Sequence, residues 1–401
     1  MNRPTAVRLT GFSVVALALW FLPTLQGPLG FPIFYLLFGY TLLFWFTQAS
    51  SWNMFTGFSG YFSFGQGAFF GVGVYTTGVL ASKQGWPLIA AIPVAGVLAA
   101  VLGLSLGFVV FRLRRLQGEI FALVTLAVAF VVAAIARISS TIDGGSGIAL
   151  NNVQLPEFLG AYPSMMFRLG LIIATLTIFA AATIQHSRLG WGLFSINDDE
   201  AVAESLGVPT FRHKMMAFGL SAFFGGLSGA VHAIQISYIT IEDVFSIRIP
   251  LFVIVMSVLG GMRHWMGPII GATIIHTLTD RLNRASDLDL FGGNVTVSLD
   301  HLNDIIIGLL LIVMVLAVKD GLWPRLVRRK WAGAGAFIVG ILVARFWAPE
   351  MSLIGQFVAG ELGAVVILLP SSDIIDRWRN RRAPSGSPDE PSDQPHVGAA
   401  R

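Results

Sequence analysis

Between Arg8 and Lys83 the chain runs 74 residues without one Asp, Glu, Lys or Arg. A soluble domain cannot solvate such a stretch, whereas a bilayer core takes spans of about 20 apolar residues, so this length fits three crossings with short links. Pro23, Gly27, Pro28 and Pro32 mark the first link. The rest of the chain extends the pattern: of 401 residues, 55% are hydrophobic and 12% charged, and the mean hydropathy is +0.73. Packed into spans of about 20 residues, the hydrophobic share would supply about eleven helices. The expected fold is all-α, a polytopic integral membrane helical bundle with glycine-interrupted helices and about 10–12 spans.

Further uncharged stretches follow at Pro87–Phe111, Ile120–Ala136, Leu169–Ile184 and Met215–Ile241. Shorter ones lie at Ile249–Met262, Met266–Thr279, Ile305–Val318, Trp331–Ala344 and Met351–Leu369; several are nearer in length to buried or re-entrant helices than to full crossings. The run Leu9–Leu22 behind Arg3 and Arg8 lacks a small-x-small cleavage site and reads as a retained first span. Residues 383–401 carry four prolines among Ser, Asp and Gly and read as a disordered tail.

Twelve crossings alternating from a cytoplasmic amino terminus place 19 of the 26 basic residues inside, among them Arg112, Arg114, Arg115, Arg188, Arg212, Lys214 and Arg263. Both termini are then expected in the cytoplasm, and the net charge of +4 reflects insertion, with no nucleic-acid partner implied. Zero cysteines exclude disulfides, thiolate catalysis and Cys-ligated metal.

Enzyme chemistry finds little support. The chain has no GxxxxGK[ST] loop and no HExxH, and Asn197-Asp198-Asp199-Glu200 begins a carboxylate motif that no second cluster completes. No metal or cofactor is expected. An ion-driven carrier buries ionisable groups at mid-membrane; here the residue standing out is Glu361, which could pair with Arg345 or lie near an interface.

Glycines and small polar residues are more informative. Gly57, Gly60, Gly65, Gly67, Gly71, Gly73 and Gly78 fall in one short region beside Asn53, Ser59, Ser63 and Gln66. The triplets Ser63/Gly67/Gly71, Ala99/Gly103/Gly107 and Ser221/Gly225/Gly229 recur at spacing four, which close helix packing alone explains. Polar side chains with broken backbone at membrane depth persist where they line protein or a watery path. A second interruption at Gly260, Gly261, Gly267, Pro268 and Gly271 makes a pair, and paired interruptions point to a substrate path. Helix breaks are expected at Gly60, Gly65, Gly67, Gly71, Gly261, Gly267 and Pro268, and the path at Asn53, Ser59, Ser63, Gln66 and Thr125.

The polar segment 185–214 contains Asn197–Leu206, which reads as one short helix with acids at its start and with Gly207 and Pro209 as its stop. It is either an amphipathic connector or a docking knob for a soluble motor subunit.

These stretches together resemble the permease subunits of branched-chain amino acid ABC importers, in particular the LivM-like half of the pair. The resemblance covers residues 31–330. It rests on Trp52–Gly60, Ser63–Thr76, Phe121–Ala127, Asp143–Ile148, Ser187–Gly207 and Gly260–Ala272. It implies a permease domain over 1–330 and residence in the plasma (inner) membrane; beyond it the sequence is expected to add membrane segments over 331–370 and a cytoplasmic tail over 371–401. The 196–207 helix would be the ATPase-coupling element, with Ile196, Asp198, Asp199, Glu200, Ala203, Glu204 and Gly207 in the motif positions, and charge reversal at Glu200 or Glu204 should weaken docking. Implied partners are a second homologous permease, two ATP-binding subunits, an extracytoplasmic substrate-binding protein and membrane lipid. The substrate would be a branched-chain or other neutral amino acid, or urea or a short amide in a related importer; a stand-alone secondary carrier is the rival. Two features depart from the family pattern: Gly261-Met262-Arg263-His264 replaces a tight Gly-x-Gly-Ser turn, and residues 331–369 extend beyond the usual end.

Overall fold

The structure, a computed structural model, describes residues 16–24, 32–112, 118–142, 144–150, 153–284 and 308. Leu9–Val15 of the first span, Arg114 and Arg115, Asp143, the stretches from Ile305 onward apart from Gly308, Glu361 and the tail lie outside the described residues.

Helix α1 (Phe34–Trp52) continues into a π-helical turn, Asn53–Gly57. The chain leaves the helix at Gly60, whose φ of +76° suits a residue without a Cβ. It runs without helical or strand structure to Gly65, clamped where the Trp52 indole Nε1–H donates to the Ser63 carbonyl at 2.7 Å. Helix α2 (Gln66–Thr77) then runs into a second π turn, Gly78–Lys83. The break expected among the glycines is therefore confined to 60–65.

Gly67 and Gly71 do not break a helix, contrary to expectation: both lie inside α2. They are small because neighbours press on them. A methyl at Gly71 would sit 2.2 Å from the Phe245 ring and one at Gly67 3.1 Å from Pro250.

Helices α3 (Leu88–Arg112), α4 (Glu119–Ile138) and α5 (Tyr162–Gln185) follow, then α6 (Arg188–Asp198) and α7 (Glu200–Ser205). The chain continues through α8 (Thr210–Ile236), α9 (Ile241–Val244), α10 (Arg248–Gly260) and α11 (Gly267–Arg284). Five stretches are long and apolar enough to cross a membrane: α3, residues 120–138, α5, α8 and Ile241–Gly260. These belong to the described residues only, so they do not count the spans of the whole chain.

Burial orders them. In α8, 83% of the apolar window is buried against other helices, but in α4 only 22%. The small-residue stripes explain why α8 can be central: a methyl at Gly73 would meet the Gly226 carbonyl oxygen at 2.1 Å, one at Gly229 the Phe70 carbonyl oxygen at 2.3 Å, and one at Gly103 the Ala222 methyl at 2.6 Å. Backbones in such contact gain dispersion and close packing that a larger side chain would forbid. On the outside, Leu98, Val101 and Phe108 of α3 and Leu123, Phe130 and Ile138 of α4 are exposed. Apolar residues exposed in this number on helices long enough to cross a membrane suit a bilayer core rather than water.

Helices α10 and α11 form a tight antiparallel pair. Gly261 (φ +113°) ends α10, and Gly267-Pro268 opens α11, where the missing proline N–H costs no helix bond. A methyl at Gly271 would lie 1.7 Å from the Met256 carbonyl oxygen, and one at Gly260 1.6 Å from that of Gly267.

The described basic residues separate to two ends. One end holds Lys83 on the Thr141 and Ile142 carbonyls, Arg137 paired with Glu242 at 2.5 Å, and a two-stranded antiparallel ladder of β1 (Ile148–Ala149) and β2 (Tyr238–Ile239). The other holds Arg112, Arg188, Lys214 and Arg263.

Candidate functional site

The five expected path residues are all buried within this one chain, at 3% exposure or less. Gln66 donates through Nε2 to Gln48 Oε1 at 2.6 Å and to Ser51 Oγ at 2.8 Å, so it joins α1 to the start of α2. Asn53 sits elsewhere, its Nδ2 donating to the His264 carbonyl at 3.3 Å in the α10–α11 turn. Ser59 donates to the Phe55 carbonyl (2.7 Å), and Ser63 accepts from Gly65 N–H (3.1 Å). Thr125 of α4 accepts from Phe64 N–H at 2.9 Å and donates to the Ala122 carbonyl.

The structure thus brings Ser59, Ser63 and Thr125 to the 60–65 break, Gln66 to a polar cluster beside it, and Asn53 to the second interruption. Sequence reading missed Gln48 and Ser51, which hide as polar residues in an aromatic helix. Gln48 Nε2, Ser50 Oγ, Asn53 Oδ1 and Thr56 Oγ1 are buried without a hydrogen-bond partner, a costly state for atoms at this depth.

The 185–214 segment departs from the single expected helix. Asp199 is extended (φ −162°, ψ 112°) and divides α6 from α7, so Ile196 and Asp198 end α6 while Glu200, Ala203 and Glu204 belong to α7. The division has a local cause: Asp199 Oδ1 accepts from Val202 N–H at 3.0 Å and caps α7, competing with continuation of α6. At the far end Gly207 (φ +85°) turns the chain, and open space surrounds the place its Cβ would occupy.

Ile196 and Ala203 anchor the two helices inward. Outward stand Trp191, 71% exposed, Val202, 53%, and Leu206, 79%, together with Glu204. Asp198 pairs with Arg263 of the α10–α11 turn at 2.9 Å, and Asn197 packs on Gly60, where a methyl would come within 2.2 Å of its Oδ1. Both interruptions therefore touch this segment.

Glu200 differs from its neighbours. Its Oε1 meets Lys214 Nζ at 2.5 Å, its Oε2 accepts from the Tyr61 hydroxyl, and Lys214 also donates to that hydroxyl at 3.2 Å. The Glu200 and Lys214 side chains are 19% and 5% exposed. Lys214 lies 4.6 Å above the Tyr61 ring centre and 5.2 Å from that of Phe111, in cation–π range. These groups line a cleft of about 710 Å³ with Ser59, Gly60 and Arg112. Tyr61 and Lys214 are 153 positions apart, and the available signal was that Lys214 is the last charge before a long uncharged span. Among the described residues, no group of three or more His, Asp or Glu side chains could hold a metal ion.

A lipid-facing helical bundle with broken helices and buried polar residues defines a polytopic membrane permease. Residues 33–315 match the family profile described as branched-chain amino acid transport system, permease component, and the chain belongs to that family. It is similar to the high-affinity branched-chain amino acid transport system permease protein LivM of Escherichia coli, 28% identical over 249 residues, and to that of Salmonella typhimurium at the same identity. In each case the match takes 56% of this chain, and the chain spans 57% of the length of these curated relatives. It is also 23% identical over 219 residues to the probable branched-chain amino acid transport permease protein LivH of Methanocaldococcus jannaschii, covering 53% of this chain and 69% of that one. No solved structure matches.

Proposed function

We propose that this chain is the LivM-like permease subunit of an ATP-driven importer for branched-chain or other neutral amino acids. It works with a second permease, two ATP-binding subunits and an extracytoplasmic binding protein. The end bearing α6 and α7 faces the cytoplasm, and ATP hydrolysis on the partners drives the path between outward and inward access.

The observation that carries the reading is the exposed knob at 191–207. Trp191 of α6, Val202 and Glu204 of α7 and Leu206 just beyond it stand outward, while Asn197 and Asp198 at the end of α6 touch both helix interruptions, a shape suited to receive a push from a soluble subunit. Among the described residues the buried polar groups are Ser, Thr, Asn and Gln, with Lys214 the one charged member and already paired. That lining suits a neutral or zwitterionic solute, and its carboxylates and cations are few; His232, bonded to Tyr40 at 3.3 Å and packed on Phe44, is the ionisable group a carrier reading would have to use.

We assign the expected coupling residues two roles. In this reading Leu206 and the exposed Glu204, at the rim of the cleft that Glu200 also lines, belong to the docking face, while Glu200 is bonded to Lys214 and Tyr61. The test is co-purification and radiolabelled leucine uptake in proteoliposomes carrying all partner subunits. Glu204→Lys with Leu206→Asp should lower recovery of the ATP-binding subunits and uptake by about tenfold or more, as expected when a central contact is lost. Ion-gradient-driven uptake by this chain alone would overturn the reading.

A further inference from the structure

We propose that Glu200, Lys214 and Tyr61 form a rigid strut that carries displacement of α7 to the 60–65 break at the path; this rests on the importer reading above. Three separate elements meet at the three side chains. Glu200 belongs to α7, Lys214 to the first turns of α8, and Tyr61 to the returning segment. Each pair within the triad is joined by a hydrogen bond, and one of them is also a salt bridge.

The burial decides between a strut and a releasable latch. Separating Lys214 from Glu200 leaves an ammonium among Tyr61, Phe111 and neighbouring aromatic rings without its counter-charge, which is far costlier than separating a surface pair. The connection therefore persists as the elements move. The aromatic base is itself continuous: Phe111 stacks on Phe121 at 5.5 Å, Tyr61 packs edge-on against Phe121 at 5.4 Å, and Phe218 of α8 contacts Phe55, Phe111 and Phe121. Lys214 thus has a firm seat.

Beyond Tyr61 the load has a defined route. Gly60 is the positive-φ pivot before it, while Ser63 and Phe64 after it are tied to Trp52 of α1 and Thr125 of α4. Movement of α7 reaches both sides of the break through Tyr61, beside the packing of Asn197 of α6 on Gly60. The outward face of α7 is left for docking, so loss of the strut should uncouple the machine without dissolving it.

The experiment uses the complete reconstituted importer and reads three quantities: recovery of ATP-binding subunits, ATP hydrolysis with and without loaded binding protein, and solute imported per ATP. Lys214→Met and Tyr61→Phe should retain the ATP-binding subunits at wild-type ratio, lose stimulation by the binding protein, and import less per ATP. The expected fall is about tenfold for Lys214→Met, which strips a buried carboxylate of its partner, and less for Tyr61→Phe. Glu200→Lys combined with Lys214→Glu should recover part of the ratio.

In parallel, Glu200→Cys with Lys214→Cys supplies the chain's only thiols. A short bis-methanethiosulfonate bridge between them should restore solute per ATP, and reductant should abolish it again, a reversible rescue that a misfolded protein cannot show. A wild-type ratio in Lys214→Met, or a bridged pair that stays uncoupled, overturns the strut. Wild-type chain that shows no ATP-dependent uptake overturns the importer reading instead.

Discussion

Thr125 contributes a single hydroxyl, but that hydroxyl satisfies the Phe64 N–H in a segment with no helix ladder of its own. Thr125→Val keeps the shape and strands the donor, so the purified protein should lose about 1–3 kcal/mol of stability, read as a lower melting temperature in a thermal-shift assay. The same residue was visible in the sequence only as a polar position in an apolar helix. Its partner lies 61 positions away, and no local spacing reveals that pairing. The strut was hidden for the same reason: Tyr61 is one neutral residue in the uncharged amino-terminal run, and Lys214 looks like another positive-inside charge until the two are folded together. Asp199, by contrast, was legible. An Asp followed by Glu and then by apolar residues is an N-cap signal, and a stricter reading of it would have divided 196–207 at the place where the structure does.

At the scale of elements, glycine spacing identified which helices pack closely and misassigned what some of the glycines do. Gly67 and Gly71 yield to Pro250 and Phe245, residues about 180 positions further on, so unwinding and packing cannot be distinguished from the helix alone. The Gly260 to Gly271 region was recognised as interrupted, and the structure adds that the two short helices press backbone to backbone. Gly271→Ala should be poorly tolerated, because the added methyl lies against the Met256 carbonyl oxygen rather than a movable side chain. The expected outcome is reduced membrane accumulation and early melting, while Gly85→Ala should keep wild-type levels more closely, since nothing lies within 4 Å there and the strain is confined to its φ. Fluorescence size-exclusion profiles of the two variants give the comparison.

At the scale of the molecule, the alternation of basic residues sets an expected orientation, because charge placement is a property of topology and needs no knowledge of contacts. The orientation is directly testable because the chain has no cysteine. A membrane-impermeant maleimide added to intact cells should label Tyr238→Cys and leave Leu206→Cys unmodified, with the pattern reversed in inside-out vesicles; both side chains are exposed. The placement of α4 has a consequence of another kind. It is the candidate span least buried by the rest of the chain, yet its Thr125 holds the Phe64 backbone and its Phe121 stacks on the ring beneath Lys214. A change in acyl-chain length that tilts α4 to relieve hydrophobic mismatch acts on the same few bonds that α7 reaches from the opposite side. Under the importer reading, bilayer thickness would then bear on the path as a mechanical load of its own.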